Sequence, residues 1–481
     1  MSAVVVVGGG IAGLAVAHAL RHTKPGIDIR LLERSDRTGG NIRTEIVEGY
    51  MCEWGPDGFL DNVPETLALA RAVGLESALR PSSDEARRRF IFRRGRLHEV
   101  PVSPLAFVRT PLLSTRAKLR IMWEPFARQR PESDETIFEF AARRIGAEPA
   151  AALIDSMVSG IFAGDARQLS LRACFPRMWQ LETEYGGLFR ALLATRKRRK
   201  KDDAMGAPAG RLTSFDGGME ELPRAVTAAL GSVVRTSDPV HELRPARASQ
   251  PLTPGAAADG YELASHSGVH RADAVVLAGP ADETARLLQP FEPTAAGILR
   301  EIPTAPIAVV CLGYDGAEVA RERGGLNGFG FLVPRSESIR ILGALWETSI
   351  YPHRAPAGKV LVRAMIGGAL DPGVLALDDQ TIQRIVRTEL KATMGLGIEP
   401  EFVRIIRHRR GIPQYTVGHL ARLQRVDRLL RARPGIFLAG NSYRGVSINS
   451  CIAEAGSIAA AVVDYLARAK PRPTLSRPLS A

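Results

Sequence analysis

Paired cysteines, aromatics and long apolar runs are all scarce in this chain of 481 residues, and each scarcity narrows its chemistry. The four cysteines, Cys52, Cys174, Cys311 and Cys451, stand far apart and form no Cys-x-x-Cys pair. That spacing argues against a thiolate metal site, and so large a chain has little need of a disulfide framework. Reduced, mostly buried thiols are expected. Aromatic residues make up only 6% of the chain, with no basic–aromatic alternation for stacking on bases, so nucleic acid is not an expected partner. No apolar run reaches the about 20 residues that cross a bilayer. The apolar opening stretch has no positive residue before it, as an export signal would. A cytoplasmic protein, soluble or peripheral on the membrane, is expected. A Ser-His-Asp or Cys-His nucleophile pattern is also missing, and His408 and His419, flanking "RRGIPQYTVG", are expected to serve local hydrogen bonds.

What is abundant is positive charge. The formal net charge is +13. Such a balance favours an anionic membrane surface or a polycarboxylate substrate. Hydrophobic residues at 45% and charged residues at 24% are ordinary for a globular chain, and the length suggests about three domains.

The opening "VVVVGGGIAGLAVAHAL" carries the first specific signal. Gly8, Gly10 and Gly13 fit G-x-G-x-x-G directly after the β-branched run Val4–Val7, and a buried helix is expected over Ile11–Arg21. Gly8 permits the tight turn, Gly10 lets backbone approach a pyrophosphate, and Gly13 allows close helix–strand packing. The helix N-terminus then offers unpaired N–H groups to phosphates. A second strand, "IDIRLLE", ends at Glu33, 20 residues after Gly13, where a carboxylate can accept from ribose hydroxyls. In "ERSDRTGGNIRT", Gly39 and Gly40 between Arg37 and Arg43 suit a loop crossing the pyrophosphate of FAD, where a simple NAD domain would begin another βαβ repeat. "YMCEWGPDGF" adds Gly55 and Gly58 around Pro56, a backbone-rich turn suited to a flat ligand. Near the other end, "PGIFLAGNSYRGVSINSCIAEAGSIAAAVVDYL" reads as a turn, a buried strand at Ile436–Ala439, a glycine-rich loop and a long alanine-rich helix. Such a loop can deliver N–H groups to the ribityl and pyrophosphate end of FAD, or simply close an αβ unit with Gly440 and Gly445 turning the chain.

Together with "SGIFAGDARQLS", "FDGGMEELPRAV", "GFGFLVP", "RGIPQYTVGH" and "GNSYRGVSINSCI", these segments resemble the oxygen-dependent protoporphyrinogen oxidase family of the FAD-dependent, amine-oxidase-like superfamily, over nearly the whole chain. The resemblance implies an α/β fold: a discontinuous Rossmann-type FAD-binding domain, an antiparallel-sheet substrate domain and a helical domain. It implies one non-covalent FAD per chain, oxidation of protoporphyrinogen IX late in haem synthesis, and dioxygen as acceptor with release of hydrogen peroxide. Hydride transfer to flavin N5 needs orientation more than a strong base, so no indispensable protein acid or base is expected.

By motif, Gly8, Gly9, Gly10, Ile11, Ala12, Gly13, Glu33 and Arg34 match the family's dinucleotide site. Gly40, Asn41, Gly55, Pro56, Asp57 and Gly58 fall where the family's chain passes the flavin, and Val240 where backbone touches adenine. Gly440, Asn441, Val446, Ser447 and Ile448 match its C-terminal flavin contacts. For the substrate, Gly160, Phe329 and Leu332 match positions lining the porphyrinogen cleft, and Arg89 matches an arginine paired with a propionate. Asp57 is left out of the substrate site, because a carboxylate there would repel a propionate. An apolar slot with a few cationic anchors is what an apolar macrocycle carrying carboxylates requires. Arg87, Arg88 and Arg89 are consecutive, so a solvated surface cluster is the competing reading.

The expected layout places FAD-binding parts at 1–85, 210–285 and 405–470, and substrate parts at 86–104 and 286–404. A helical region follows at 105–209 and a tail at 471–481. The family's helical region is credited with membrane contact, and the basic run Thr195–Asp203 would suit anionic lipid or a solvated loop equally. The family also implies a homodimer, with the downstream chelatase as a further partner. Three rivals remain. Coproporphyrinogen III oxidase looks very similar. An amine oxidase or phytoene desaturase is disfavoured, because the strand that carries a lysine in many amine oxidases has Val309 and Val310 here. A non-catalytic FAD-fold protein is disfavoured by the complete cofactor motifs.

Overall fold

The computed structural model describes residues 2–128, 131, 133–201, 210–246 and 260–468, with the backbone alone over 195–201. The side chains of the basic run at 195–203, residues 247–259 and the expected tail at 471–481 lie outside the described residues.

Val4, Val6, Val276 and their neighbours form a run apolar on both faces, as the central strands of a covered parallel sheet must be. The strand order is Val234–Arg235, Asp28–Leu32, Ala3–Val7, Ala274–Leu277, Ile436–Leu438, every pair parallel. Alternation then divides the side chains. Val4 and Val6 meet the helices Ile11–Thr23 and Ile448–Arg468 on one face. Val5 and Leu277 meet a three-stranded antiparallel sheet, Val240–Pro245, Tyr261–Ser265 and Gly268–Ala272, on the other. The sheet is assembled from distant parts of the chain.

One sequence expectation is corrected here. The helix Ile448–Arg468 has 21 residues and a mean hydropathy of 1.3 over its most apolar window, long and apolar enough to span a bilayer. One face of it packs in the core, where Ile448, Ile452, Ala455, Ala459 and Val462 meet Leu14 and Val16 of the opening helix, and 39% of the apolar window is buried.

The second large sheet has seven strands in the order Phe402–Pro413, Thr304–Asp315, Lys359–Gly367, Ile341–Trp346, Gly330–Leu332, Arg89–Arg93, Arg96–Glu99. It departs from a purely antiparallel sheet at one place, where Gly330–Leu332 runs parallel to Arg89–Arg93 and the chain reaches its partner from far away in sequence. A domain boundary at 405 would cut the strand Phe402–Pro413, which pairs with Thr304–Asp315 along most of its length. That strand is arginine-rich because it is an edge, where charge prevents further pairing. Arg404 reaches Glu45, and Arg407 reaches Asp379.

Between these sheets and solvent lies the helical region, from Pro104–Arg109 to Leu188–Lys201. Its helix Asp155–Phe162 lies against the strands Gly330–Leu332 and Ile341–Trp346. The helix ends at Ala163, in the left-handed region with φ +45°, a conformation that a residue with a Cβ adopts only under constraint.

Candidate active site

At the C-terminal ends of the parallel strands the chain makes a cradle of backbone. Gly8 turns with φ +110°, and a Cβ on Gly13 would sit 2.0 Å from the carbonyl oxygen of Gly8. The turn therefore tolerates only glycine there. Gly10 caps the helix Ile11–Thr23 without any side-chain hydrogen bond, so the first N–H groups remain available. A Cβ on Gly10 would meet nothing within 4 Å. That open space is bordered by Gly40, whose Cβ would lie 3.4 Å from the Gly10 Cα, and by Gly440 beyond Ala12. A pyrophosphate fits such a cradle: exposed helix N–H groups, a favourable dipole and no obstructing side chain.

Glu33, buried at the end of its strand, accepts from the Gly9 N–H at 2.6 Å and the Ser35 N–H at 2.8 Å. A carboxylate keeps further lone pairs for ribose hydroxyls. The Asp238 N–H donates to the Glu33 carbonyl at 2.8 Å, which brings the start of the Val240 strand beside it. The Val240 carbonyl itself accepts from Arg286 at 2.9 Å, and the Arg34 guanidinium lies on Glu283 at 3.2 Å. Arg37 fixes the next loop by donating to the Gly40 carbonyl at 2.7 Å and the Ile42 carbonyl at 3.1 Å. The Gly39 N–H donates to the Gly9 carbonyl at 2.8 Å.

Asp57, matched above to the turn beside the flavin, has its side chain turned into the protein. Its carboxylate is buried, with Oδ1 paired with Arg354 and 3.2 Å from Arg363, and those two guanidiniums hold it below the usual carboxylate range despite its burial.

At the C-terminal loop, Tyr415 Oη accepts from the Gly445 N–H at 2.9 Å and donates to the Asn441 carbonyl at 2.5 Å, tying both ends of the loop that precedes Val446, Ser447 and Ile448. Ser447 caps the following helix through the Ser450 N–H at 3.1 Å. His419 stacks on Tyr415 at 4.1 Å, and its Nε2 lies 2.8 Å from the Tyr443 carbonyl. Burial lowers its pKa to about 4, so it is neutral at ordinary pH. His408 Nε2 lies 2.7 Å from the Trp54 carbonyl. Both histidines hold backbone. Tyr415→Phe removes one hydroxyl from this loop, about 1 kcal/mol of hydrogen bonding. Its FAD Kd, read by flavin fluorescence titration, is expected to rise about fivefold; an unchanged Kd would detach Tyr415 from the cofactor.

The four candidate substrate residues converge. Gly330 is the register partner of Arg89, and Leu332 of Ile91. The Arg89 guanidinium stands over the Phe329 ring at 5.0 Å. A Cβ on Gly160 would lie 2.6 Å from Leu332 Cδ2, so the helix carrying Gly160 can approach the sheet only because that position is bare. The arginine run also resolves: Arg87 pairs with Asp84 and Arg88 with Glu99, whereas exposed Arg89 has no carboxylate partner among the described residues.

Three positions escaped the sequence reading. Tyr415 lay inside a quoted motif without being singled out. Arg363 interrupts the apolar strand "KVLVRAMIGG", and a charge in such a run was a usable signal. Arg354, in "YPHRAPAGK", gave none.

The match to known proteins follows this geometry. A family model described as flavin containing amine oxidoreductase covers residues 11–463. The protoporphyrinogen oxidase of Homo sapiens is 34% identical over 485 residues, which span 96% of this chain and 98% of the human one. The coproporphyrinogen III oxidase of Bacillus subtilis is 30% identical over 96% of this chain and 98% of its own. Among solved structures, a protein from Exiguobacterium sp. 255-15, provisionally assigned as a protoporphyrinogen oxidase, superposes with a TM-score of 0.80 at 28% identity, covering 97% and 99% of the two chains. The chain is thus a flavin-dependent oxidoreductase with FAD as its cofactor. It belongs to the flavin-containing amine oxidoreductase family and, within it, to the protoporphyrinogen oxidases.

Proposed function

We propose that the chain oxidises protoporphyrinogen IX to protoporphyrin IX. The observation that carries this reading is the unpaired Arg89 beside the apolar group Phe329, Leu332 and Gly160, on a scaffold shared with the human and Bacillus enzymes. FAD, when bound, supplies the two-electron acceptor that dioxygen restores. The residues of the chain bind and orient. Arg89 grips a propionate through its planar fork. Phe329 and Leu332 offer the macrocycle an apolar wall that keeps water away. The Gly10 helix terminus, Glu33 and the loop tied by Tyr415 hold the cofactor. His408 and His419, bound to carbonyls, take no proton in the reaction.

The experiment gives the purified holoenzyme protoporphyrinogen IX and coproporphyrinogen III separately in air and follows porphyrin fluorescence. A larger kcat/KM for protoporphyrinogen IX supports the reading. A preference for coproporphyrinogen III moves the chain to the activity named for its Bacillus relative.

The helical region supports peripheral attachment to an anionic membrane. Leu105, Val108, Leu119, Met122, Trp123 and Phe126 are all exposed within 22 residues of sequence, more than half of each side chain facing solvent. Arg109, Arg116 and Lys118 are interleaved with them. Apolar side chains beside basic ones are the composition of an interfacial segment. Trp123 and Phe126 touch, with ring centroids 5.1 Å apart. The Trp123→Ser, Phe126→Ser double variant is expected to lose co-sedimentation with phosphatidylglycerol vesicles while keeping its flavin. Equal sedimentation of variant and parent would rule this surface out.

A further inference from the structure

Five charged side chains from both sides of the molecule meet where water is excluded. Glu53 and Asp57 come from the cofactor side, and Glu347, Arg354 and Arg363 from the substrate-sheet side. All are buried, Arg354 completely. Arg354 pairs with Asp57 Oδ1, donates to Glu347 Oε2 at 2.6 Å and Ser214 Oγ at 3.1 Å, and lies 3.4 Å from Glu53 Oε1. Arg363 Nε stands 2.7 Å from Glu347 Oε1.

The remaining contacts set this cluster apart from an ordinary buried ion pair. Arg354 Nη2 donates to the Asp57 carbonyl at 2.9 Å. Arg363 Nη1 donates to the Glu53 carbonyl at 3.0 Å and the Gly55 carbonyl at 2.9 Å. Two guanidiniums thus hold three alternate carbonyls of one turn, residues 53, 55 and 57. The same turn presses on the next element of the candidate cofactor site, since a Cβ on Gly55 would lie 2.4 Å from the Asn41 carbonyl oxygen. The path runs without a gap from Arg363 in the substrate sheet, through Gly55, to Asn41.

A buried ion cluster is a poor way to gain stability, because apolar side chains of similar volume serve as well or better. Holding three carbonyls in fixed register is something apolar side chains cannot do and a rigid five-donor fork can. Lysine, with one nitrogen, cannot reproduce it.

We propose that Arg354 and Arg363 are positioning residues for the flavin half of the cofactor, acting by fixing the backbone of the turn at 53–58 from the substrate sheet. The proposal rests on the reading that this turn passes the flavin. The Gly8–Gly13 cradle, which takes the adenosine diphosphate half, is held by other contacts, the Gly9 N–H on Glu33 and the Gly39 N–H on the Gly9 carbonyl.

The test measures the Kd of FAD and of ADP for parent and Arg363→Lys apoprotein, together with the melting temperature of each. FAD is expected to bind about 10- to 100-fold more weakly to Arg363→Lys, with ADP affinity unchanged. FAD affinity equal to the parent's overturns the proposal. Equal weakening of FAD and ADP overturns it too, since that is the mark of general destabilisation. A parent that binds ADP but no FAD would instead sink the underlying reading of the turn. Should Arg363→Lys fail to fold, Gly55→Ala carries the same test, moving the turn off Asn41 without touching a charge. The same split between FAD and ADP is expected, and its absence overturns the proposal.

Discussion

Gly13→Val is expected to purify colourless, with FAD affinity lowered about 100-fold or more. Any Cβ at this position would lie 2.0 Å from the Gly8 carbonyl oxygen and 3.2 Å from the Ala278 Cβ. Backbone on one side and a packed side chain on the other leave no soft direction, so the first strand, the helix or both must shift. Such overpacking typically costs about 1–3 kcal/mol, occasionally more. The shift also moves the Gly10 N–H groups away from the phosphates, and about 2.7 kcal/mol there is a hundredfold in Kd. Gly10→Ala provides the contrast. Its Cβ meets no protein atom within 4 Å, so the fold and melting temperature should hold while the methyl intrudes on the space reserved for the pyrophosphate. Flavin absorbance after desalting reads both. A yellow Gly13→Val protein with parental affinity would mean that the cofactor does not use this turn.

Arg89→Ala is expected to raise KM for the porphyrinogen about 10- to 100-fold with little change in kcat. A hydrogen bond to a charged group contributes about 1.5–3 kcal/mol, and a propionate far from the reacting carbon is bound alike in ground and transition states. Arg89→Lys should recover part of the loss, keeping charge without the bidentate fork. Arg88→Ala should do little, because Arg88 is already occupied with Glu99 at 3.0 Å. Steady-state kinetics on the three variants decides. A kcat effect from Arg89→Ala, or equal effects from Arg88 and Arg89, would remove Arg89 from the propionate site.

How far the sequence could be read depended on whether a feature is local. The strand–turn–helix around Gly8–Gly13 is set by neighbours in sequence, and its helix came within two residues of the expected end, Thr23 against Arg21. The buried strand expected at Ile436–Ala439 and found at Ile436–Leu438 was legible for the same reason, as a short apolar run between turns. Phe402–Pro413 was not assigned to its sheet, because an arginine-rich edge strand lacks the apolar alternation that marks a buried one. The convergence of Arg89 with Phe329 spans 240 residues and came from family resemblance, with nothing in local pattern to suggest it. The buried partners of Asp57 were not legible. Nothing within several residues of position 57 announces Arg354 or Arg363, the two cations its carboxylate meets.

In the proposed reaction electrons leave a porphyrinogen for the flavin of an FAD whose pyrophosphate lies in the Gly8–Gly13 cradle. Its most direct test is anaerobic mixing of the holoenzyme with protoporphyrinogen IX, following flavin absorbance and porphyrin fluorescence together. Loss of the oxidised-flavin absorbance is expected in step with the appearance of porphyrin, and return of the flavin absorbance when air is admitted. Flavin absorbance that persists under excess porphyrinogen, with no porphyrin formed, would contradict it.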